Sequence, residues 1–229
     1  MIAHIRNFAI IAHIDHGKTT LTDRILELAG VITRDSSHQR IMDSNPIEQE
    51  RGITIKLAPV SFEYRLASQS FQLNLIDTPG HVDFGYEVSR SLAACEGVVL
   101  VIDASQGVQA QTLTNYHQAQ ELGLKVVPVI NKIDLPSADV DRTMLEVMDL
   151  CQVNDSEIIC ISAKTGQNVD QVLSAVIERI PAPTGDVGLP LRALLISSYV
   201  DSHQGAIGLV KVVDGEVFCQ TKASFLCRW

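Results

Sequence analysis

An apolar run that ends at Ala12 leads into His-Ile-Asp-His-Gly-Lys-Thr and then into a stretch of helical periodicity. Backbone N–H groups of such a loop, with the N-terminus of the helix that follows it, bind phosphate. Lys18 would neutralise β- and γ-phosphate oxygens, and the Thr19 hydroxyl would bind magnesium. The general pattern has glycine where this chain has Ala12. The predicted nucleotide contacts of the loop are Asp15, His16, Gly17, Lys18, Thr19 and Thr20.

Three residues of this loop have a second interpretation that is left open. Local hydrogen bonding within the loop is favoured over catalysis for His13 and His16. A structural role is as plausible for Asp15 as contact with a ligand.

A second polar segment, Asp77-Thr-Pro-Gly-His81, follows a predicted strand. A carboxylate such as Asp77 at a strand end holds magnesium through water, and Gly80 leaves a backbone N–H free to approach a γ-phosphate. An ordinary strand-to-turn exit explains the same residues equally well, because Asp, Pro and Gly are turn residues.

A long polar stretch over residues 31–52 predicts a mobile loop, which ends in Arg51-Gly-Ile-Thr54. Thr54 would give magnesium a second hydroxyl when the γ-phosphate is present and release it after hydrolysis. Residues 31–55 would then form an order–disorder switch. A solvated loop is the alternative. The predicted metal ligands are Thr19, Thr54 and Asp77.

Two further segments predict recognition of the guanine base. Guanine presents an N1–H and an N2 amino group side by side, and the single carboxylate of Asp134 accepts both. Adenine has no such pair of donors, so the segment favours guanine. Backbone N–H groups after a later strand would reach guanine O6. The predicted base contacts are Asn131, Lys132, Ile133, Asp134, Ser162, Ala163 and Lys164.

These motifs need a scaffold that brings strand ends together. Strands are predicted at 8–12, 57–65, 71–76, 98–103, 125–130 and 157–161, and helices at 18–28, 83–95, 111–122, 139–150 and 169–180. This alternation predicts an α/β fold of the P-loop NTPase type, a mostly parallel sheet with helices on both faces. Ligands bind at the carboxyl ends of strands in such sheets, and every motif lies at one of those ends.

The C-terminal part of the sequence has a different character. Residues 1–182 are predicted as a GTP-binding domain and 183–190, which is rich in Pro and Gly, as a linker. Strands at 191–198 and 205–213, with a hairpin turn at Asp214-Gly215, predict the start of a β-barrel over 191–229. Because about 40 residues do not close a barrel and the alternation is lost from Phe218, we interpret the chain as a truncated or frame-altered product.

Composition restricts the protein class. Apolar residues are 46% and charged residues 20% of the chain, a balance typical of a globular protein. No apolar run reaches the roughly 18 residues of a membrane span, and no secretory signal is evident, so a bacterial-type cytoplasmic location is expected. The five cysteines have no metal-site spacing. The net charge of −9 argues against direct DNA binding.

The motifs together resemble the translational GTPase superfamily, and within it the LepA (elongation factor 4) family over about residues 1–217. The resemblance rests on Ile5-Arg-Asn-Phe8, Gln49-Glu-Arg-Gly-Ile-Thr-Ile-Lys56, Tyr86-Glu-Val-Ser-Arg-Ser-Leu-Ala-Ala-Cys-Glu-Gly97, Gln109-Ala-Gln-Thr112 and Asn131-Lys-Ile-Asp-Leu-Pro136. Elongation factor G, initiation factor 2 and the TypA group differ at the third of these stretches.

The resemblance implies a monomeric, ribosome-activated GTPase that uses GTP, GDP and Mg²⁺. It implies action in elongation, in back-translocation and fidelity, with peripheral membrane association in the full-length family. His81 and Lys18 would be the catalytic residues: His81 would orient the attacking water, with Ile14 and Ile53 as an apolar gate. Turnover without the ribosome would be slow, because no arginine is placed to act in cis.

Two other functions remain open from the sequence. One is the GTPase subunit of a sulfate-activating enzyme, whose phosphate loop is similar, although the stretch that ends at Gly97 argues against it. The other is a GTP-dependent binding module without effective turnover, because the chain is truncated.

Overall fold

The computed structural model describes residues 2–32, 59–77, 85–201 and 205–218. They belong to two compact units, Met1–Pro183 and Thr184–Trp229. Short 3-10 helices cover Ile2–His4 and Asp155–Glu157. The strands are β1 (Ile5–Ala12), β2 (Pro59–Leu66), β3 (Gln69–Asp77), β4 (Gly97–Asp103), β5 (Lys125–Asn131), β6 (Ile159–Cys160), β7 (Arg192–Asp201) and β8 (Gly205–Asp214). The helices are α1 (Lys18–Leu28), α2 (Gly85–Ala93), α3 (Ala110–Glu121), α4 (Val140–Cys151) and α5 (Val169–Arg179).

The first unit is built on one six-stranded sheet in the order β2-β3-β1-β4-β5-β6. Strand β2 runs antiparallel to β3, and the other neighbours are parallel. The carboxyl ends of β1, β3, β4, β5 and β6 therefore meet at one edge of the sheet. The predicted α/β class with a mostly parallel sheet is confirmed.

Alternation along β1 divides the core between the two faces of the sheet. Phe8 and Ile10 belong to the cluster that includes residues of α1 and α5, and both are fully buried. Ala9 and Ile11 point to the opposite face, where α3 contacts β1, and they are as deeply buried. Strand β4 is buried at every position, as a central parallel strand covered on both faces requires. Helices therefore pack on both faces of the sheet whose strand ends carry the predicted motifs.

One strand is shorter than predicted. The pattern predicts a strand over 157–161, but β6 pairs with β5 only through Ile159 and Cys160. Asn154 and Glu157 form a capping box, in which the Asn154 N–H donates to the Glu157 carboxylate, and this turn takes Glu157 out of the strand.

The second unit contains the antiparallel pair β7–β8, with register shifts beside Arg192 and between Leu195 and Ser197. The hairpin turn predicted at Asp214-Gly215 would follow β8 and lead into a further strand, so the β7–β8 pair does not test it and it stays a prediction. Asp214 ends β8, where its carboxylate accepts a hydrogen bond from the backbone N–H of Asp186. Residues 219–229, where a further strand would have to follow, lie outside the described residues.

Two properties of the described ranges bear on the expectations from composition. None of their helices has both the length and the apolar character needed to cross a membrane. The three cysteines within them, Cys95, Cys151 and Cys160, are free thiols.

Candidate functional site

The strand ends of the first unit lie at one edge, together with the predicted site residues that the structure describes. Ala12, the last residue of β1, pairs with Val101 of β4. Asp77 ends β3 opposite Ile10 of β1, so its backbone lies beside the strand that leads into the phosphate loop. One strand further along the sheet, Asp103 and Asn131 are register partners at the ends of β4 and β5.

Gly17 determines the exit of the phosphate loop into α1. Its φ is +93°, in the left-handed region that favours glycine. A Cβ built on Gly17 would lie 2.4 Å from Nδ2 of Asn131, a separation that real Cβ atoms do not show. Gly17 is the N-cap residue of α1 and has no side chain with which to cap the N–H groups of the first turn. Its left-handed φ and its close approach to Asn131 together explain why glycine occupies this position.

Asn131 joins the two halves of the candidate site. Its side chain is 2% exposed. Nδ2 donates to the backbone oxygen of His16 at 2.9 Å, and Oδ1 accepts from the backbone N–H of Ala163 at 3.0 Å. One buried amide thus holds the phosphate loop and the loop after β6 in fixed relation.

Lys132 makes a second link, and its partner was missed in the sequence. Its ammonium group donates to the backbone oxygen of Asp15 and lies 2.6 Å from Oδ2 of Asp103. Asp103 is buried, and its other oxygen accepts from the N–H and the hydroxyl of Ser105, each at 2.7 Å. Both Lys132 and Asp15 have φ near +65°, so two strained residues support each other across the site.

The ionisation of Asp103 fits this arrangement. Burial alone would raise the pKa of the Asp103 carboxyl, but hydrogen bonds from Lys132 and Ser105 outweigh burial and lower it. The carboxylate therefore stays charged and holds the Lys132 ammonium group over the loop.

The predicted base-recognition residues lie together. Ser162 is fully buried, and its hydroxyl donates to Oδ1 of Asp134 at 2.7 Å. The same hydroxyl oxygen accepts from the N–H of Thr165 at 3.1 Å. The N–H of Ile133 donates to the backbone oxygen of Ile161 at 3.3 Å. Asp134 is exposed, with one oxygen oriented by Ser162 and its carboxylate accessible to a ligand.

Arg24 of α1 reaches the same loop from the other side. Its Nε donates to the oxygen of Ala163 at 3.1 Å, and Nη2 donates to the oxygen of Lys164 at 2.7 Å. Nη1 pairs with Glu27 at 2.6 Å. The sequence gives no signal for this contact, because Arg24 looks like any charged residue on a helix.

The two histidines of the phosphate loop are close to each other. The His13 and His16 ring centroids are 5.1 Å apart. His16 is fully buried, and the N–H of Asp103 donates to its Nδ1 at 3.3 Å. Burial lowers the pKa of His16 from 6.5 to about 4, so its ring is neutral at pH 7. His13 Nδ1 and His16 Nε2 have no hydrogen-bond partner among the described residues.

The remaining predicted residues divide into two groups. Lys18 is buried, Thr19 is half-buried and Thr20 is exposed, all in the first turn of α1. The backbone of Asp77 is in place at the end of β3. Thr54, Gly80, His81, Ile53 and most of the predicted switch 31–55 lie outside the described residues. Asp103 and Arg24 were not predicted as site residues. Of the two, only Asp103 carries a signal in the sequence, since it too ends a strand at this edge.

Comparison with known proteins identifies a related domain. Residues 3–182 match the family model described as the elongation factor Tu GTP binding domain, which is most of this chain.

A curated relative and two solved structures extend this comparison. Elongation factor 4 of Clostridium acetobutylicum is 53% identical over 225 residues, which are 97% of this chain and 37% of the relative. A bacterial selenocysteine-specific elongation factor, EF-Sec, has a TM-score of 0.74 and 26% identity over 93% of this chain and 35% of that one. A protein from Thermus thermophilus, at TM-score 0.73 and 18% identity, covers 93% of this chain and 46% of its own, and shares the fold. The chain thus spans little more than a third of the length of its curated relative, and the predicted resemblance to translational GTPases is confirmed.

Proposed function

Because the chain belongs to the family of the elongation factor Tu GTP-binding domain, we propose that it binds GTP and GDP with magnesium and hydrolyses GTP. The observation that carries this proposal is the Asn131 side chain, which ties the phosphate loop to the loop after β6. A site that must recognise a phosphate group and a base at once needs these two loops in fixed relation.

The base-recognition half supports guanine as the ligand. Ser162 fixes one oxygen of Asp134, and the carboxylate would accept both the N1–H and the N2 amino group of guanine. An adenine ring would leave that carboxylate without its two donors, which costs binding free energy. We therefore propose Asn131, Lys132, Ile133 and Asp134, with the segment Ser162–Lys164, as the base-binding residues.

The phosphate half supports binding of the polyphosphate. A phosphate group would bind at the N-terminus of α1, where the N-cap residue is the left-handed Gly17, and Lys18 would offset its charge. We propose Asp15, His16, Gly17, Thr19 and Thr20 as further contacts.

The Thr19 hydroxyl is an oxygen ligand of the kind that magnesium prefers. The half-buried Thr19 hydroxyl lies in the first turn of α1, next to Lys18. We propose Thr19, Thr54 and Asp77 as the residues that hold the ion. When bound, magnesium supplies charge stabilisation for the phosphate oxygens.

For hydrolysis we propose that His81 orients the attacking water, with Gly80 donating its N–H to the γ-phosphate. Lys18 and the N–H groups of the loop would stabilise the charge that develops on the phosphate oxygens. The similarity to elongation factor 4 supports action on the ribosome in elongation, in the cytoplasm. We further propose residues 1–182 as the GTP-binding domain, 183–190 as a linker and 191–229 as part of a β-barrel.

The proposal is tested by nucleotide competition. Fluorescent GDP with magnesium is titrated into the 229-residue chain and displaced with GTP, ATP or xanthosine diphosphate. GTP should displace it and ATP should not. Asp134→Asn should lose about 100-fold or more in GDP affinity and gain affinity for the xanthosine nucleotide, because the amide supplies a donor where xanthine has an oxygen.

A matched control removes a carboxylate elsewhere. Asp149 is an exposed residue of α4, and Asp149→Asn should bind GDP as the wild type does. Displacement by ATP as effective as by GTP would refute guanine recognition. Turnover is assayed separately as phosphate release from GTP with and without ribosomes, and an identical stimulated rate for His81→Ala would refute the role of His81.

A further inference from the structure

Arg24 is a helix residue whose three guanidinium nitrogens each bind another residue of the protein. Nε and Nη2 donate to the backbone oxygens of Ala163 and Lys164, and Nη1 pairs with Glu27. The two backbone acceptors are 139 and 140 residues away in the chain. The planar fork of an arginine matches two neighbouring oxygens in a way that a lysine does not.

A second arginine, on α4, offers a comparison with Arg24. Arg142 pairs with Glu146 at 2.9 Å through Nε, and its side chain is 65% exposed. The Arg24 side chain is only 17% exposed. Both arginines form an ion pair within their helix, and of the two only Arg24 also clamps a distant loop.

The clamp fixes the direction of one backbone N–H group. In a planar trans peptide the C=O and N–H groups point in opposite directions. Because the Ala163 oxygen faces Arg24, the N–H of Lys164, which shares that peptide, points away from Arg24.

The neighbouring N–H groups of the loop are already used. The Ala163 N–H donates to Asn131, and the Thr165 N–H donates to the Ser162 hydroxyl. The Lys164 N–H has no acceptor within the described part of the chain. Among Ala163, Lys164 and Thr165, it is therefore the backbone donor left for a ligand.

We propose that Arg24 is a positioning residue for base recognition, which holds the Ala163–Lys164 peptide so that the Lys164 N–H is presented to O6 of guanine. This inference rests on the proposed function, since its ligand is the guanine ring. Arg24 itself would not touch the nucleotide.

A clamp that serves only the stability of the fold would behave differently. Its loss would lower the free energy of unfolding and weaken the binding of every purine nucleotide by the same factor. A positioning role predicts instead that only the preference for a base with O6 is lost.

The test compares three nucleotides on the 229-residue chain. GDP has O6 and the 2-amino group. 6-Thio-GDP has sulfur in place of O6, a weaker acceptor. IDP keeps O6 and lacks the 2-amino group that Asp134 would bind. The wild type should bind GDP about fivefold more tightly than 6-thio-GDP, the size of one neutral hydrogen bond.

Arg24→Gln should bind GDP and 6-thio-GDP with about equal affinity. Its preference for GDP over IDP should keep the wild-type value. Arg142→Gln, the matched loss of a helix ion pair, should keep both ratios. If the first ratio of Arg24→Gln stays at its wild-type value, or if both ratios change together, the positioning role is wrong.

Folding is checked by circular dichroism and thermal unfolding. If Arg24→Gln does not fold, Arg24→Lys decides, because it keeps the charge beside Glu27 but has a single donor group for two oxygens. For Arg24→Lys, a ratio of GDP affinity to 6-thio-GDP affinity between one and the wild-type value supports the proposal, and a wild-type ratio overturns it. A wild-type chain that binds no GDP overturns the proposed function itself, a result visible before any variant is made.

Discussion

The two halves of the candidate site differ in how their polar groups are partnered. On the base side, Asn131, Lys132 and Ser162 all use their side chains in hydrogen bonds within the protein. On the phosphate side, the backbone oxygens of His16 and Asp15 accept from Asn131 and Lys132, and one ring nitrogen each of His13 and His16 has no partner among the described residues.

Support between the two halves therefore runs mainly in one direction. The base side donates and the phosphate loop accepts, so residues at the end of β5 determine the shape of a loop that follows β1. Changes on the base side should therefore weaken the phosphate side as well. Changes confined to histidine rings of the phosphate loop should have smaller effects.

The largest effect is expected where the two halves touch. Gly17→Ala places a Cβ against the Asn131 amide and forces a left-handed φ on alanine. We expect GDP affinity to fall at least about 1,000-fold. The strain alone costs about 1–3 kcal/mol, and the Asn131 side chain is displaced in addition from its hydrogen bonds with His16 and Ala163 (the Asn131 bridge). Titration with fluorescent GDP measures the loss.

The chain offers a control for this variant at the end of α1. Gly30 has φ +71°, and a Cβ added there would meet nothing within 4 Å, so Gly30→Ala carries the strain without the clash. It should lower stability and retain GDP binding. Equal GDP affinities for the two variants would show that the bridge does not matter.

The second-largest effect is expected when the side chain of the Asn131 bridge itself is removed. Asn131→Ala leaves the His16 oxygen and the Ala163 N–H without partners, each at a cost of about 1–3 kcal/mol. We expect GDP to bind about 100-fold more weakly. The binding of inorganic phosphate analogues should weaken too, because the phosphate loop loses the hydrogen bond from Asn131 to the His16 oxygen.

Asn74→Ala is the matched control, since Asn74 also makes two side-chain hydrogen bonds, with Asn7 and Ser61, among strands β1, β2 and β3. It should lower stability by a similar amount and leave nucleotide affinity unchanged. If Asn131→Ala lost only base selectivity, the base side would not support the phosphate loop.

Asp103→Asn is expected to have a moderate effect. The amide can still accept from Ser105 but no longer carries the charge that holds Lys132. GDP affinity should fall about 10-fold, the scale of one hydrogen bond to a charged group. Isothermal titration provides the measurement, and Asp214→Asn, which removes the ion pair with Arg192 in the second unit, provides the control.

The smallest effect concerns the pH dependence of stability. His16 has its pKa lowered to about 4 in the folded chain and near 6.5 when unfolded, so below pH 6.5 protons bind the unfolded state first. The contribution of neutral His16 to the free energy of unfolding is fully present above pH 6.5 and is lost as the pH falls toward 4. Between pH 7 and 5.5 the loss from this residue is about 1 kcal/mol.

Urea unfolding at the two pH values measures this loss. Between pH 7 and 5.5 the free energy of unfolding of the wild type should fall by about 1 kcal/mol more than that of His16→Gln. His117→Gln, which changes an exposed histidine of α3, should behave as the wild type. The same pH dependence in all three proteins would mean that His16 is not the group responsible.

The sequence predicted the scaffold well because each element depends on local signals. The bounds of α1 agree with the predicted 18–28, and the strand ends lie where the motifs require them. β6 was predicted too long because the capping box of Asn154 and Glu157 competes with strand pairing, a conflict that periodicity does not reveal.

The contacts that complete the site depend on distant parts of the chain. Lys132 was recognised as a site residue, but its pairing with Asp103 requires the register of β4 and β5. Arg24 lies in a helix that was predicted correctly, yet nothing in its neighbourhood points to Ala163, which lies 139 residues away. Pattern therefore predicts which residues face a ligand, and tertiary structure shows which residues hold them.

Ala12 has a consequence for how related sequences are recognised. It ends β1 in extended register with Val101 and is 4% exposed, so its methyl group belongs to the core. The left-handed positions of the loop are Asp15 and Gly17. A search pattern that demands glycine at the first position of this loop would reject the chain for a residue whose backbone any amino acid can adopt. A pattern written on backbone conformation would demand glycine at position 17 and admit a small apolar residue at position 12, and it would retrieve proteins of this kind.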